Sequence, residues 1–226
     1  MEKPFTRAYF YDKNNNNVPD FRASYLCDCY YKHYRQLTDP IPYTEDTEDT
    51  FSKGSEIHDQ EEILQNGSKN IINSEKAMKI IHKSKKYTIS GHNDFLKFDF
   101  AGRYLEDLKS TKFEAFYYFL KKDIDKSHVL QLSIYAYLIY IEKGFSIKSG
   151  VITKIDKNNP RNRISRETKL LDVSTVESYL VNHPVILTVL EEFTRDQFLI
   201  KCKIQMDENE TWRCDYCQYK KSCEVI

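Results

Sequence analysis

GHNDFLKFDFAGRYLEDLKSTK, residues 91 to 112, is the stretch on which the fold turns. Polar and apolar residues alternate on both sides of Ala101-Gly102, the pattern of two strands joined by a tight turn. Residues two apart share a face of a strand, so Phe98 and Phe100 lie with Asp94, and Leu105, Asp107 and Lys109 form a second row. The turn decides how the rows meet. Centred between Phe100 and Ala101 it sets Asp94 opposite Asp107; centred between Ala101 and Gly102 it sets Asp94 opposite Lys109. Both registers put the three side chains on one face, whereas a turn centred on a single residue needs a bulge to do so.

Two carboxylates held this close repel unless a cation sits between them. A hard divalent ion such as Mg or Mn prefers oxygen ligands and leaves positions for water and phosphate. Lys109 then stands where it can orient a water, or help deprotonate it, for attack on phosphorus. The same alternation also suits an ordinary solvent face whose Asp and Lys side chains pair across strands.

Upstream, Gly54 to about His82 reads as helical with a break near Asn66-Gly67, and Asp20 to Leu37, which carries Cys27 and Cys29, reads as one helix. Asn14 to Asn17 and DPIPYTEDTEDT (Asp39 to Thr50) read as surface loops. Downstream, HVLQLSIYAYLIYIEK is apolar nearly all round and is expected to be a buried helix, capped by Ser127 and ended by Gly144. Strands are expected at Ile147 to Ile155 and Ile164 to Leu171. STVE (Ser174 to Glu177) reads as a capping box opening a helix that Pro184 interrupts or restarts. A helix between strands points to an α/β or α+β class, a mixed sheet with helical cover.

The 226 residues suffice for one domain with a substantial core, and 34 basic residues balance 34 acidic ones, so net charge by itself recruits neither nucleic acid nor membrane. Local patches (Lys83, Lys85 and Lys86; Lys121 and Lys122; Arg161, Arg163 and Arg166) read first as solvated faces. The first residues, MEKPFTRAYFYDKNNNN, have no signal-peptide pattern, and no run approaches the ~20 apolar residues of a membrane span, so a cytoplasmic location is expected. Three of the six cysteines fall within WRCDYCQYKKSC, Trp212 to Cys223. In a reducing compartment such clustering favours metal or redox chemistry over disulfides.

Four pieces in order resemble the PD-(D/E)XK nuclease superfamily, in its RecB-like branch. They are GSEIH (Gly54 to His58), like Gly-x-x-x-His; GHND (Gly91 to Asp94), like Gly-x-x-Asp; DLK (Asp107 to Lys109), like (D/E)-x-K; and QLSIY (Gln131 to Tyr135), like Gln-x-x-x-Tyr. Gln131 and Tyr135, four apart, share a helix face. The tail, Cys214-x2-Cys217-x5-Cys223, resembles the spacing with which this branch binds a four-iron four-sulfur cluster, completed by one cysteine near the N-terminus. RASYLC, Arg22 to Cys27, is similar to the tyrosine-rich helix before that cysteine and favours Cys27 over Cys29, although neither is followed by the family's usual basic pattern. Four thiolates also suit structural zinc.

The resemblance implies a single restriction-endonuclease-like domain over residues 1–226, with a catalytic core at about 54–171 and cluster elements at about 20–37 and 212–223. It implies a metal-dependent DNA exonuclease acting on single-stranded or duplex ends, with an integrase or helicase as a possible partner. His58, Asp94, Asp107 and the carbonyl of Leu108 would hold Mg or Mn, Lys109 would align the water, and Gln131 and Tyr135 would support lysine and substrate. Cys27, Cys214, Cys217 and Cys223 would bind a 4Fe-4S cluster that staples the chain. A catalytically idle iron-sulfur adaptor would use the same scaffold.

Overall fold

The computed structural model describes residues 19–38, 41–42, 45–66, 71–72, 78–82, 85–121, 123–190, 192–208 and 217–223. They form two compact units, one built from 43–76 and 91–176 and the other from 1–42, 77–90 and 177–226.

The first unit holds a five-stranded sheet in the order β2-β5-β6-β7-β8, with β2 at Ile71–Ile72, β5 at Phe95–Asp99, β6 at Gly102–Thr111, β7 at Ser149–Asp156 and β8 at Asn159–Lys169. β5 and β6 are an antiparallel hairpin, β6 and β7 are parallel, and β7 and β8 are again antiparallel. A parallel pair cannot be joined by a short turn. The crossover between β6 and β7 is made by α4 (Phe113–Lys121) and α5 (Lys126–Lys143). All of Gln131 to Ile139 in α5 is buried, as its uninterrupted apolar surface requires. Gly144 ends the helix at φ 75°, a conformation that costs other residues strain. The long α3 (Glu45–Asn66) packs Ile57 against Phe95, Leu108 and Ile155.

In the second unit β1 (Asp20–Arg22), β4 (Lys85–Ser90) and β3 (Met78–His82) form a sheet in the order β1-β4-β3. With it go α1 (Ala23–Leu26), α2 (Tyr30–Thr38), α7 (Pro184–Val189) and α8 (Arg195–Glu208); the boundary between the units falls within α6 (Val173–Val181). Tyr30 meets His183 edge-on at 4.9 Å, and Tyr34 meets Phe198 at 4.8 Å. The His183 ring links α1 to α7: its Nε2 donates to the Leu26 carbonyl at 3.0 Å, and its Nδ1 accepts from the Val185 N–H at 3.2 Å. This is a mixed α/β architecture of two sheets flanked by helices, consistent with a restriction-endonuclease-like α+β fold. Among the described residues no helix is long and apolar enough to cross a membrane.

Several expected elements are corrected. The helix expected from Gly54 begins at Glu45, inside the acidic stretch read as a loop, and the residues described between Asn66 and His82, Ile71–Ile72 and Met78–His82, are strands. There Met78–His82 pairs antiparallel with Lys85–Ser90, so β-sheet pairing overrides a weak helical pattern. The single helix expected over Asp20 to Leu37 is a strand and two helices, interrupted because Asp28 turns its carboxylate onto the Cys29 N–H at 2.8 Å. Two caps also shift. Asp125, not Ser127, caps α5, accepting from the Ser127 N–H at 2.9 Å. Asp172, not Ser174, caps α6 and accepts from the Ser174 hydroxyl at 2.7 Å and the Thr175 N–H at 2.8 Å. A carboxylate is the better acceptor at the positive end of a helix, and these bonds hold Asp172 down at about 2, the Ser174 hydroxyl contributing most. Pro184 restarts the chain as α7, capped by His183.

Candidate active site

The hairpin register sets the site. Asp99 pairs with Gly102 across Phe100 and Ala101, and Phe95 pairs with Glu106, which brings Asp94 opposite Asp107, the first of the two registers open from sequence. Asp99 stabilises this turn by accepting from the Ala101 and Gly102 N–H groups at 2.8 and 3.0 Å. Asp94 sits just before β5. Its Oδ2 accepts from the Leu108 N–H at 2.6 Å, and its Oδ1 lies 3.4 Å from His58 Nδ1 on α3. On the same face of β6, Lys109 Nζ is 2.8 Å from Asp107 Oδ2 and donates to Gln131 Oε1 at 3.0 Å. Gln131 Nε2 in turn donates to the Tyr135 hydroxyl at 2.8 Å. Every catalytic-core residue singled out from sequence therefore falls in one constellation, within one unit.

Burial makes the arrangement electrostatically tense. Asp107 is 2% exposed, and burial lifts its carboxyl above the ordinary carboxylate range; Lys109 opposes this and Asp94 adds to it. The hydrogen bond to Asp94 raises the His58 imidazole, against the opposing effect of burial. Asp107 Oδ2 is buried, with the Lys109 ammonium 2.8 Å away. A buried acceptor of this kind, next to a second carboxylate and an imidazole, suits a hard divalent cation. Among the described residues, no three His, Cys, Asp or Glu side chains are preset as a coordination cage. His58 is turned onto Asp94, and Lys109 lies against Asp107. Glu106, the other acid of LEDLK, faces away and is satisfied by Lys97 and Thr153.

The cysteines belong to the other unit. Cys214 lies outside the described residues. Cys27 Sγ donates to its own helix at Ala23 O, 3.2 Å away. Cys29, whose carbonyl accepts the first hydrogen bond of α2, is within electrostatic reach of Cys217: burial chiefly raises its thiol, with smaller contributions from Asp28 and Cys217. The Tyr31 hydroxyl donates to Ser222 O at 3.0 Å, fastening α2 to the turn before Cys223. Cys202 is 1% exposed, and burial chiefly raises its thiol, with smaller contributions from Cys29 and Cys223.

Sequence reading missed two features around α3. Glu61, buried one turn beyond His58, is held by both terminal nitrogens of Arg163 at 2.7 and 3.1 Å. Lys157 Nζ would lie 3.5 Å from a Cβ at Gly54, and burial, then the charges of Lys112 and Lys53, lower the Lys157 pKa. Lys157 and Gly54 are distant in sequence, and the one available signal was a glycine in mid-helix.

No family model matches the chain, and no curated protein matches it. Solved structures do. The crystal structure of SSO0001 is similar with a TM-score of 0.57 and 18% identity, covering 96% of this chain and 90% of that one. An alkaline exonuclease (LHK-Exo) from Laribacter hongkongensis gives a TM-score of 0.49 and 13% identity over 76% of this chain and 89% of that one. The first likeness is one of fold, and the second is too loose to bear on this chain.

Proposed function

We propose that this chain is a metal-dependent DNA exonuclease that hydrolyses phosphodiester bonds at strand ends, with single strands the preferred substrate. The observation that carries this reading is the carboxylate pair Asp94 and Asp107 facing across a hairpin, with Lys109 beside Asp107 and held by Gln131. His58, Asp94, Asp107 and the Leu108 carbonyl would hold Mg or Mn. When bound, such an ion neutralises charge developing on the phosphate. The side chains prepare the rest. The Lys109 ammonium can only donate, so the Gln131 amide oxygen is turned to it and the amide nitrogen donates to the Tyr135 hydroxyl; the lysine is held between that oxygen and Asp107. An ammonium held at two points can orient a water for in-line attack.

The thiols then form a 4Fe-4S cluster that staples the N-terminal segment to the tail and takes no part in cleavage. Cys214, Cys217 and Cys223 supply three ligands. For the fourth, the closeness of Cys29 to Cys217, with Tyr31 fastened to Ser222, favours Cys29 over Cys27. A role in CRISPR adaptation, viral DNA processing or recombination, with an integrase or helicase as partner in the cytoplasm, fits this chemistry.

The test is degradation of end-labelled single-stranded DNA by anaerobically purified protein with Mn, with Mg and with chelator, alongside Lys109→Ala. Metal-dependent shortening that falls at least ~100-fold in the variant is expected. Cleavage by Lys109→Ala at the wild-type rate removes the active-site assignment. A folded, brown wild-type protein that does not cut is the idle adaptor instead.

A further inference from the structure

α4 sets large apolar side chains in water. Its sequence, FEAFYYFLK, buries Phe116 and Phe119 but leaves Phe113, Tyr117, Tyr118 and Leu120 between 47% and 64% exposed. Phe116 and Phe119, three apart, supply the one buried stripe that a short surface helix needs. Phe113, Tyr117 and Lys121 are four apart and form a second row on the outside. The Phe113 and Tyr117 rings lie 6.0 Å apart, and the Lys121 ammonium stands 5.2 Å over the Tyr117 ring. Underneath, Lys154 and Arg166 approach the Phe119 ring at 4.7 and 5.0 Å, and Arg166 donates to the Leu120 carbonyl at 2.9 Å. These contacts place α4 on the face of the sheet that carries the candidate site. Lys154 on β7 is in register with Lys109, and Arg166 on β8 is in register with Ile152, itself level with Asp107. Residues in register share a face, and neighbouring strands are about 4.8 Å apart, so Phe119 stands over the two strands next to β6.

We propose that the exposed row of Phe113, Tyr117 and Lys121 is a stacking platform for the bases of a single strand whose backbone enters the candidate site. This rests on the nuclease reading and adds to it how the substrate is held. The row begins four residues beyond Lys109, where β6 gives way to α4. A strand with its scissile phosphate at Asp94 and Asp107 therefore passes neighbouring nucleotides over α4. An aromatic face stacks on any base, whereas in a duplex the base faces are covered by their neighbours. The platform thus selects a single strand or a frayed end. Rings interleaved with cations, with Glu114 the one acid on the helix, match a polyanion of flat bases. An apolar protein surface would instead have to desolvate the Lys121 ammonium.

The experiment is fluorescence anisotropy of a labelled thymidine oligonucleotide, and of an abasic strand of the same length, with chelator present and at several salt concentrations. Wild type is compared with Tyr117→Ala, Phe113→Ala and Tyr117→Phe. Each alanine variant should bind the thymidine strand about 5- to 150-fold more weakly, the range for one lost base stack, while Tyr117→Phe keeps its affinity. The log–log salt slope should not change, because no phosphate contact is removed. On the abasic strand, wild type and alanine variants should bind alike. In cleavage assays with Mn, KM for single strands should rise by a similar factor. Alanine variants that bind and cut the thymidine strand as wild type does overturn the platform and leave the nuclease. If the wild type then self-associates in sedimentation and Tyr117→Ala does not, the row is an interface with a second copy. Equal losses on both strands also overturn the platform, because they report contact with the backbone. A wild type whose binding depends on bases and rings but which never cuts keeps the platform and removes the nuclease; one that neither binds nor cuts removes both.

Discussion

Gln131 has one amide and two neighbours of opposite demand: its oxygen serves the Lys109 ammonium and its nitrogen serves the Tyr135 hydroxyl. Reversing the amide would set NH2 against NH3+, whereas the Tyr135 hydroxyl can donate or accept, so the Lys109 ammonium fixes the orientation and Tyr135 completes it from one turn away. Gln131→Ala should therefore act through lysine position. The expected result is a fall in kcat of about 10- to 100-fold with KM little changed and the melting transition kept, read from single-turnover kinetics and a thermal scan. A rise in KM alone would mean that the glutamine holds substrate instead. The motif was legible from sequence as a shared helix face. That Gln131 contacts a lysine on a strand was implied by the resemblance alone, because the contact depends on how α5 lies over β6.

β6 carries both the chemistry and the core. Asp107 and Lys109 face α5, while Leu108 between them is 1% exposed and packs with Ile57, Phe95 and Ile155. Leu108→Ala should cost about 2–5 kcal/mol in a urea titration and lower activity in step, since the cavity opens under the strand that spaces the two charged residues. Ile155→Ala, in the same cluster but on β7, separates the two effects: comparable destabilisation with activity retained is expected at denaturant concentrations where it remains folded. Equal activity losses in both variants would show that the site responds to stability alone. At this scale the sequence was informative where period two ran unbroken, as in the hairpin, and where apolar residues surrounded a helix, as in α5. It misled over Met78–His82, whose strand state depends on pairing with Lys85–Ser90.

Within the unit that holds the cysteines, two buried imidazoles link stability to pH. Burial lowers His33 to about 3, with His183 adding to the effect, and lowers His183 to about 4. Their ordinary value is about 6.5, so the unfolded chain binds protons that the folded chain refuses. Their contribution is fully present above pH 6.5 and is lost as pH falls toward 4 and then 3. Denaturation midpoints of the wild type should drop across that window, and His183→Gln should show a shallower drop. An equally steep pH dependence in the variant would assign it to other groups. The cysteines give a second test. Cys217→Ala and Cys29→Ala should each lose iron and visible absorbance, while Cys27→Ala keeps both. Full iron content in Cys217→Ala would remove the cluster.

The alternation from Gly91 to Lys112, the turn at its centre and the four-residue step from Gln131 to Tyr135 determined which residues could share a face, because strand and helix periods are local properties of the backbone. They narrowed the hairpin to two registers and placed both carboxylates and the lysine on one side of it. Tertiary structure decided what local periods cannot specify. It chose the register with Asp94 opposite Asp107, brought His58 on α3 to Asp94, and turned Asp28 to interrupt one expected helix. It also set Ser110 and Lys157, from other elements, against Gly54. Such groupings depend on which faces bury together, and that is set by packing the whole unit at once.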